Sequence, residues 1–511
     1  MTNVLKIDSS SVGLYMAKEE SINVLPANPV WQQLEPSEIG DVGGETTQTS
    51  RTIIRPDRQN SRGAITDLSA SADFTQELSQ NNALELFQGF CFAQAHEPFT
   101  TKPLNTTGTT VACSADTYTL TDTTYDTSSI TAGTLLKASG FTIASNNGLK
   151  TVESVEDNVI TVASAGGVTT ETAGDGVIQV VGKTVSASIS VTGKVKLGFT
   201  DADELGLEIG QWIFVGGDTN KFTTNGTFYA RIGAIEEDGL TLDFTTNASE
   251  LSAEASTTVD LFWGITIHNE KDIDKIKRTT YTIEERLGFA DQENTIPQAS
   301  YVSGCVPSEM TITIENSALS KIQYQFTGCR FYTKKGTLAT GSRLNAWEDE
   351  KGYNNANEVY LACLSTVSHD PEKTAPNEMF AFMTSGNITI NNNTNENKAV
   401  GCLGAFDISV GKFDVQSTPQ IYFCSVDSIE ALKKNVDVGM QMILSRNNEG
   451  IIFDIPMMGM GSSIPSVSEG EPLMMDLTAN GAKSVYGYTF AFQNFAYLPD
   501  VAMASDMTGF D

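Results

Sequence analysis

The chain has 511 residues, 40% of them hydrophobic, which is ample for a buried core and excludes wholesale disorder. Acidic residues outnumber basic ones 63 to 32, for a formal charge of −31. A chain this acidic repels a phosphate backbone, which argues against sequence-reading or sliding DNA binding.

In chain order, Met1 to Asp8 has no charged region leading into an apolar one, and no stretch approaches about eighteen consecutive apolar residues. Neither a secretion signal nor a membrane span is expected, and a cytoplasm-like compartment follows. Ile54 to Phe74 reads as a strand, a polar basic turn (Arg58-Gln-Asn-Ser-Arg62) and a second strand. Asn81 or Asn82 then caps a helix from Ala83 to Phe90, with Leu84, Phe87 and Phe90 on one face. Glu97 to Pro103 is a Thr- and Pro-punctuated linker.

Beyond it the chain repeats itself. Leu135 to Gly148, continuing through Val152 to Asp157-Asn-Val-Ile-Thr161, matches Trp212 to Gly226, continuing through Ile232 to Asp238-Gly-Leu-Thr241. The Asn-Gly, Asp-Asn and Asp-Gly steps supply the positive φ of tight hairpin turns, so two small β-modules stand in series, with Phe262-Trp-Gly264 as the return. A second repeat is larger. Met310 to Phe331 resembles Leu473 to Phe495, with Ile312 and Ile314 matching Met475 and Leu477, and Tyr324, Phe326 and Phe331 matching Tyr488, Phe490 and Phe495. Each reads as a hairpin with one apolar face. Ile54 to Phe74 is likewise echoed by Ile390 to Phe413, with Thr394-Asn-Glu-Asn-Lys398 in the turn, and Asp427-Ser-Ile-Glu430 is a capping box opening a second helix, Ile429 to Val436. Alternation such as Met310-Thr-Ile-Thr-Ile314 makes the whole mainly β and antiparallel.

No catalytic constellation emerges, and no metal or cofactor is expected. Gly176 to Thr184 has five residues between its glycines where a phosphate loop needs four, and no helix pattern follows. The three histidines, His96, His268 and His369, lack ligand spacing. Asp201-Ala-Asp203-Glu204 and Glu348-Asp-Glu350 lack the calcium-loop pattern and read as solvated acidic faces. Lys271, Lys275, Lys277 and Arg278 form a basic cluster suited to an acidic neighbour. Met457-Met-Gly-Met-Gly461, with Met474 and Met475, reads as core or adaptable interface. The seven cysteines (Cys91, Cys113, Cys305, Cys329, Cys363, Cys402, Cys424) are odd in number, lack C-x-x-C spacing and mostly sit in apolar runs, the pattern of buried reduced thiols.

The module pattern, a strand ending in Ser139-Gly-Phe141 or Val215-Gly-Gly217 and a loop closing on Asn146-Asn-Gly148 or Thr224-Asn-Gly226, resembles repeats of the tail tube proteins of long non-contractile-tailed bacteriophages. Pro29-Val-Trp31, Thr52-Ile-Ile-Arg-Pro-Asp-Arg-Gln59, Gly63 and the strand through Phe74 are similar to that family's amino-terminal stretch. The resemblance implies two tail-tube-type β-sandwich cores, each with one flanking helix and a hairpin arm, plus an inserted pair of small β-modules. The division expected is 1–103 for the first part of core 1, 104–260 for outward-facing modules (about 128–180 and 195–260), 261–340 for the remainder of core 1, and 341–511 for core 2. It implies a non-enzymatic virion subunit, assembled in the host cytoplasm, that stacks in rings around a negatively charged channel and lets phage DNA pass without specific binding. Two ring-forming folds per chain favour trimeric, pseudo-hexameric rings, with a hexamer of chains as the alternative. The implied partners are the chain itself, the tape measure protein, the tail terminator and the distal tail proteins. The expected assembly arm is Arg55, Arg58, Gln59, Asn60 and Arg62, with Asn393, Asn395, Asn397 and Lys398 as its counterpart. A non-catalytic β-rich adhesin or receptor-binding virion protein is the alternative, and a glycan hydrolase on a β scaffold a third reading.

Overall fold

The computed structural model describes residues 12–503 apart from 55, 58, 60, 105, 165–166, 193, 247–250, 289–295, 346–351, 355–357, 367–382, 424–432, 435, 462–469 and 471. The protein is mainly β, in several sheets whose strand pairs are mostly antiparallel, with Val30–Leu34 and Ser342–Leu344 a parallel pair. Two compact units divide it: Met1–Ala93 with Asp272–Asn355 and Ser385–Pro419, and Gln94–Lys271 with Ala356–Thr384 and Gln420–Asp511.

The first unit is organised by one long strand, Gln298–Glu315. Its first half pairs with Tyr281–Leu287 and Arg330–Lys335, and its second half with Lys321–Gly328 and Met383–Asn391. Between the halves stand Gly304, whose φ of +66° permits the turn, and a register shift at Pro307/Glu309. One strand thus serves both layers of a sandwich. The expected alternation holds: Met310 lies opposite Tyr324 and Ile312 opposite Ile322, and these residues are buried with Phe326. Ser61–Glu77 continues the sheet on the far side of Lys321–Gly328, bringing Phe74 within 5.3 Å of the Tyr324 ring.

The helix Leu84–Cys91 closes this core, with the Phe90 ring 5.3 Å from Phe326 and 5.8 Å from Tyr324. Leu84, Phe87 and Phe90 are buried as the periodicity requires. The cap differs. Ala83 occupies the N-cap position without a side-chain cap bond, while Asn82 accepts from the Ser79 N–H at 3.2 Å and donates to Glu77 O at 2.8 Å. Asn82 therefore ties the helix to the end of the preceding strand. The second expected helix, Ile429 to Val436, falls mostly outside the described residues.

In the second unit both modules share the strand Val177–Thr192. Its start pairs with Thr134–Ser139 of the first module, and its remainder pairs with Glu254–Phe262 and Lys194–Gly198. From Lys194–Gly198 the pairing runs through Gly239–Thr245, Phe228–Glu236, Trp212–Val215 and back to Glu254–Phe262, which closes a six-stranded barrel. The same span absorbs the glycine-rich segment Gly176 to Thr184, which is strand rather than phosphate cradle. The repeat read from the sequence recurs in three dimensions. Gly148–Glu156 turns through Asp157 (φ +50°) into Val159–Val162, and Phe228–Glu236 turns at Gly239 (φ +146°) into Gly239–Thr245.

The second module packs against strands of the C-terminal half. Trp212, Phe214, Tyr229, Phe244 and Phe262 bury against Ile443, Ile452, Phe495 and Leu498. Inside this core Arg231 Nη1 lies 2.9 Å from both Asp454 carboxylate oxygens, Trp212 Nε1 donates to Asp454 Oδ2 at 3.0 Å, and the guanidinium sits 5.0 Å from the Tyr486 ring centre. Of the methionine run, Met458 and Met475 are buried, while Met457, Met460 and Met474 are half-buried.

Three expectations need correction. Leu473 to Phe495 is not a hairpin: Met474–Asp476 pairs with Gln420–Tyr422, while Ala491–Phe495 pairs with Glu449–Met460 and Ile265–His268. The stretch between them supplies a further strand, Ala479–Gly481, paired with Met458 to Met460, which prevents the two ends from meeting. Thr394 to Lys398 is not a turn, since Asn395–Lys398 is a strand antiparallel to Ala405–Ser409. Among the cysteines, Cys91, Cys113, Cys305, Cys329 and Cys363 are buried thiols, but Cys402 is exposed on the loop of that small hairpin, and Cys424 lies outside the described residues.

Candidate assembly surface

The hairpin Pro36–Arg51 and Ser61–Glu77 pairs from Pro36 opposite Gln76 to Arg51 opposite Ser61, with register shifts at Pro36/Glu38, Ile39/Val42, Thr47/Gln48 and Thr49/Arg51. Its base belongs to the sandwich, where Leu68, Ala70, Ala72 and Phe74 are buried on alternate positions. At Gly44 the ribbon passes so close to Phe331 that a Cβ would lie 2.7 Å from the Phe331 Cβ, and beyond this point the side chains turn to solvent. From Glu45 to Arg51, six steps of about 3.3 Å carry the ribbon roughly 20 Å outward. Thr49 and Thr66 hydroxyls meet at 2.9 Å across it. Lys398 and Glu396 contact it at Asp67 and Ser69. Beyond those contacts such pairs and the ladder hold it, where an isolated two-stranded ribbon is marginal in water.

Two features of this ribbon suit docking. Among the described residues, Pro36–Arg51 pairs with a strand on one edge alone, so its other edge offers free N–H and C=O groups. Its tip is also apolar: Ile54 is fully exposed at 101%, with Ile53 and Ile65 nearby and also exposed. Arg55, Arg58 and Asn60 lie outside the described residues, Gln59 N–H bonds to Asp57 Oδ1 at 3.3 Å, and Arg62 is exposed near the start of the return strand.

The counterpart residues are placed differently. Asn393, left-handed at φ +47°, donates to Lys412 O at 2.8 Å and to Asp414 Oδ2 at 3.0 Å. Asn395 reaches only Asn393 O, at 3.4 Å, and Asn397 donates to Ser409 Oγ at 2.7 Å. Lys398 Nζ bonds Asp67 Oδ2 at 2.6 Å and Glu396 Oε2 at 2.7 Å. The hydrogen bond with Asp67 is the main cause that holds the Lys398 ammonium above its ordinary pKa and the Asp67 carboxyl below its own. These polar side chains thus make bonds within the chain. Lys398 moors the small hairpin Asn395–Lys398 and Ala405–Ser409 to Asp67, on the strand that also carries Arg62.

The small hairpin also carries a surface the polar motif did not indicate. Val400 is fully exposed at 108%, and Leu403, Phe406 and Val410 are exposed with it. The signal was the apolar, glycine-punctuated run Ala399 to Phe406, in which Gly401 (φ +94°) and Gly404 (φ +90°) turn the chain. Of the basic cluster, Arg278 finds its acidic neighbour within the chain, bonding Asp407 at 2.7 Å and Ile408 O at 2.8 Å.

Among the described residues no three His, Cys, Asp or Glu side chains are grouped to hold a metal ion, and no helix is long and apolar enough to cross a membrane. A β-rich subunit with a projecting, open-edged ribbon is the class of protein this geometry defines, one built to associate. The family model for phage tail tube protein matches residues 215–493, and the chain belongs to that family. No curated protein matches it. It is therefore a structural component of a phage tail, a family that self-associates into a tube and joins other tail components. The arm hairpin precedes the matched span.

Proposed function

We propose that the chain is the tube subunit of a long, non-contractile siphophage tail, assembling in the host cytoplasm into stacked rings around a negatively charged channel through which DNA passes during ejection. The observation that carries this is the ribbon beyond Gly44, with one unpaired edge and bare Ile53, Ile54 and Ile65. A neighbouring subunit that adds a strand to that edge satisfies its backbone groups and covers its tip. The net charge of −31 gives DNA no counterions to displace, so a wall of that sign does not grip its cargo. Trimeric, pseudo-hexameric rings and a hexamer of chains are the two proposed closures, and the loss of the Leu473 to Phe495 hairpin removes the main match that favoured the trimer. The proposed division, cores at 1–103 with 261–340 and at 341–511 and modules at 104–260 on the outside, makes the modules braces for the tube wall. Tape measure, terminator and distal tail proteins are the proposed partners. Deleting residues 52–62 tests the arm: the variant should remain folded and fail to form tubes under electron microscopy, whereas tubes of normal length would remove the arm from the assembly.

A further inference from the structure

Three side chains that the assembly surface does not use converge in the second unit. His96 and Thr266 exchange two backbone hydrogen bonds of 2.8 Å, so the segment that opens the module region pairs with Ile265–His268, the strand that ends it. Glu208, in the loop before Trp212, reaches between two imidazoles. Its Oε1 lies 3.4 Å from His96 Nδ1, and its Oε2 lies 3.5 Å from His268 Nε2. The far ring nitrogens are already engaged: His96 Nε2 lies 2.7 Å from Gly206 O and His268 Nδ1 lies 3.3 Å from Asn269 O. A carbonyl oxygen can only accept, so each far nitrogen carries the hydrogen. In a neutral ring the near nitrogen is then a bare lone pair facing a carboxylate. A proton on it converts that repulsion into a charge-assisted contact.

We propose that His268 and Glu208 form a proton-operated clasp beside the His96–Thr266 pairing, which fastens Ile265–His268 to the Glu208 loop when the His268 imidazole is protonated and loosens when it is neutral. The surroundings are mostly acidic. Glu97 lies on the His96 side, and the wall of an adjoining cavity of about 480 Å³ carries Glu204 together with one opposing cation, Lys183. Glu270 acts on His268, and the Tyr488 ring stacks on it at 5.1 Å while its hydroxyl donates to Gly210 O at 2.9 Å. Burial opposes charge on His268, but its bond to Glu208 and the field of Glu270 outweigh burial and hold its pKa above 6.5. A raised histidine pKa contributes stability that is complete below the unfolded value near 6.5 and is lost as pH rises through the folded value.

Hydrogen exchange on the full chain tests the clasp through the amides of His96 and Thr266, followed from pH 6 to pH 8 after correction for intrinsic rates. Protection should fall by up to about tenfold per pH unit as His268 loses its proton, and Glu208→Gln should flatten this to within about twofold. Should Glu208→Gln fail to fold, histidine ring-proton titration of the unmodified chain and of His96→Gln gives a second reading, with the His268 midpoint above 6.5. A flat wild-type profile, an unchanged slope in Glu208→Gln, a His268 midpoint at or below 6.5, or protection at pH 8 restored by added zinc would each overturn the proposal.

Discussion

Arg231 and Asp454 are 223 positions apart in the chain and meet inside the second unit's core with Trp212. Removing one partner of such a pair strands a buried charge, at a cost of roughly 3–5 kcal/mol, whereas replacing both by apolar groups of similar volume is often close to neutral. Denaturant unfolding should therefore show Arg231→Met strongly destabilised and Arg231→Met/Asp454→Leu largely restored. A second residue-scale prediction concerns the module loops. Glu254 accepts the N–H groups of Thr223, Thr224 and Asn225, as Glu171 accepts those of Thr142 and Ile143. Burial acts to raise both carboxyls, but the summed hydrogen bonds prevail and hold them below the ordinary 4.5. Their contribution is present above about pH 4.5 and lost as pH falls through the lower folded values. Acid titration monitored by near-ultraviolet circular dichroism should show the double variant Glu171→Gln/Glu254→Gln with a shallower loss than the wild type. The alternating residues of each strand were legible in the sequence, but neither the ion pair nor these caps were, because both join positions that no local period connects.

At the scale of elements, legibility followed length and repetition. Lys321–Gly328 and the helix Leu84–Cys91 declared themselves by period, and the modules by an actual repeat in which glycine and aspartate mark the turns. The loose matches failed where a short insertion changed partners, as at Ala479–Gly481, or where an expected turn was itself extended, as at Asn395–Lys398. The hairpin proposed as the arm was legible as a strand, turn and strand, but its bare isoleucines were not singled out by the polar motif. Ile53→Asp/Ile54→Asp/Ile65→Asp alters exposed side chains alone, so the fold should change by no more than about 0.5 kcal/mol per site while sedimentation shows polymerisation abolished. Phe406→Asp, on the moored hairpin, should likewise leave unfolding unchanged. It should weaken assembly if that apolar surface is covered by a neighbour.

At the scale of the molecule, acidity, β content and membership of the tail tube family fit a protein that works by association. The two units divide the chain in alternating segments, so each contains strands from distant parts of the sequence. Local patterning could not reveal this exchange, because a strand's period specifies its faces and not its neighbours. The most direct measurement is electron microscopy of the purified full-length chain beside the chain lacking residues 52–62. Stacked rings with an open channel in the first, and dispersed folded subunits in the second, are the result expected. A full-length chain that remains a dispersed monomer at every concentration would contradict the account.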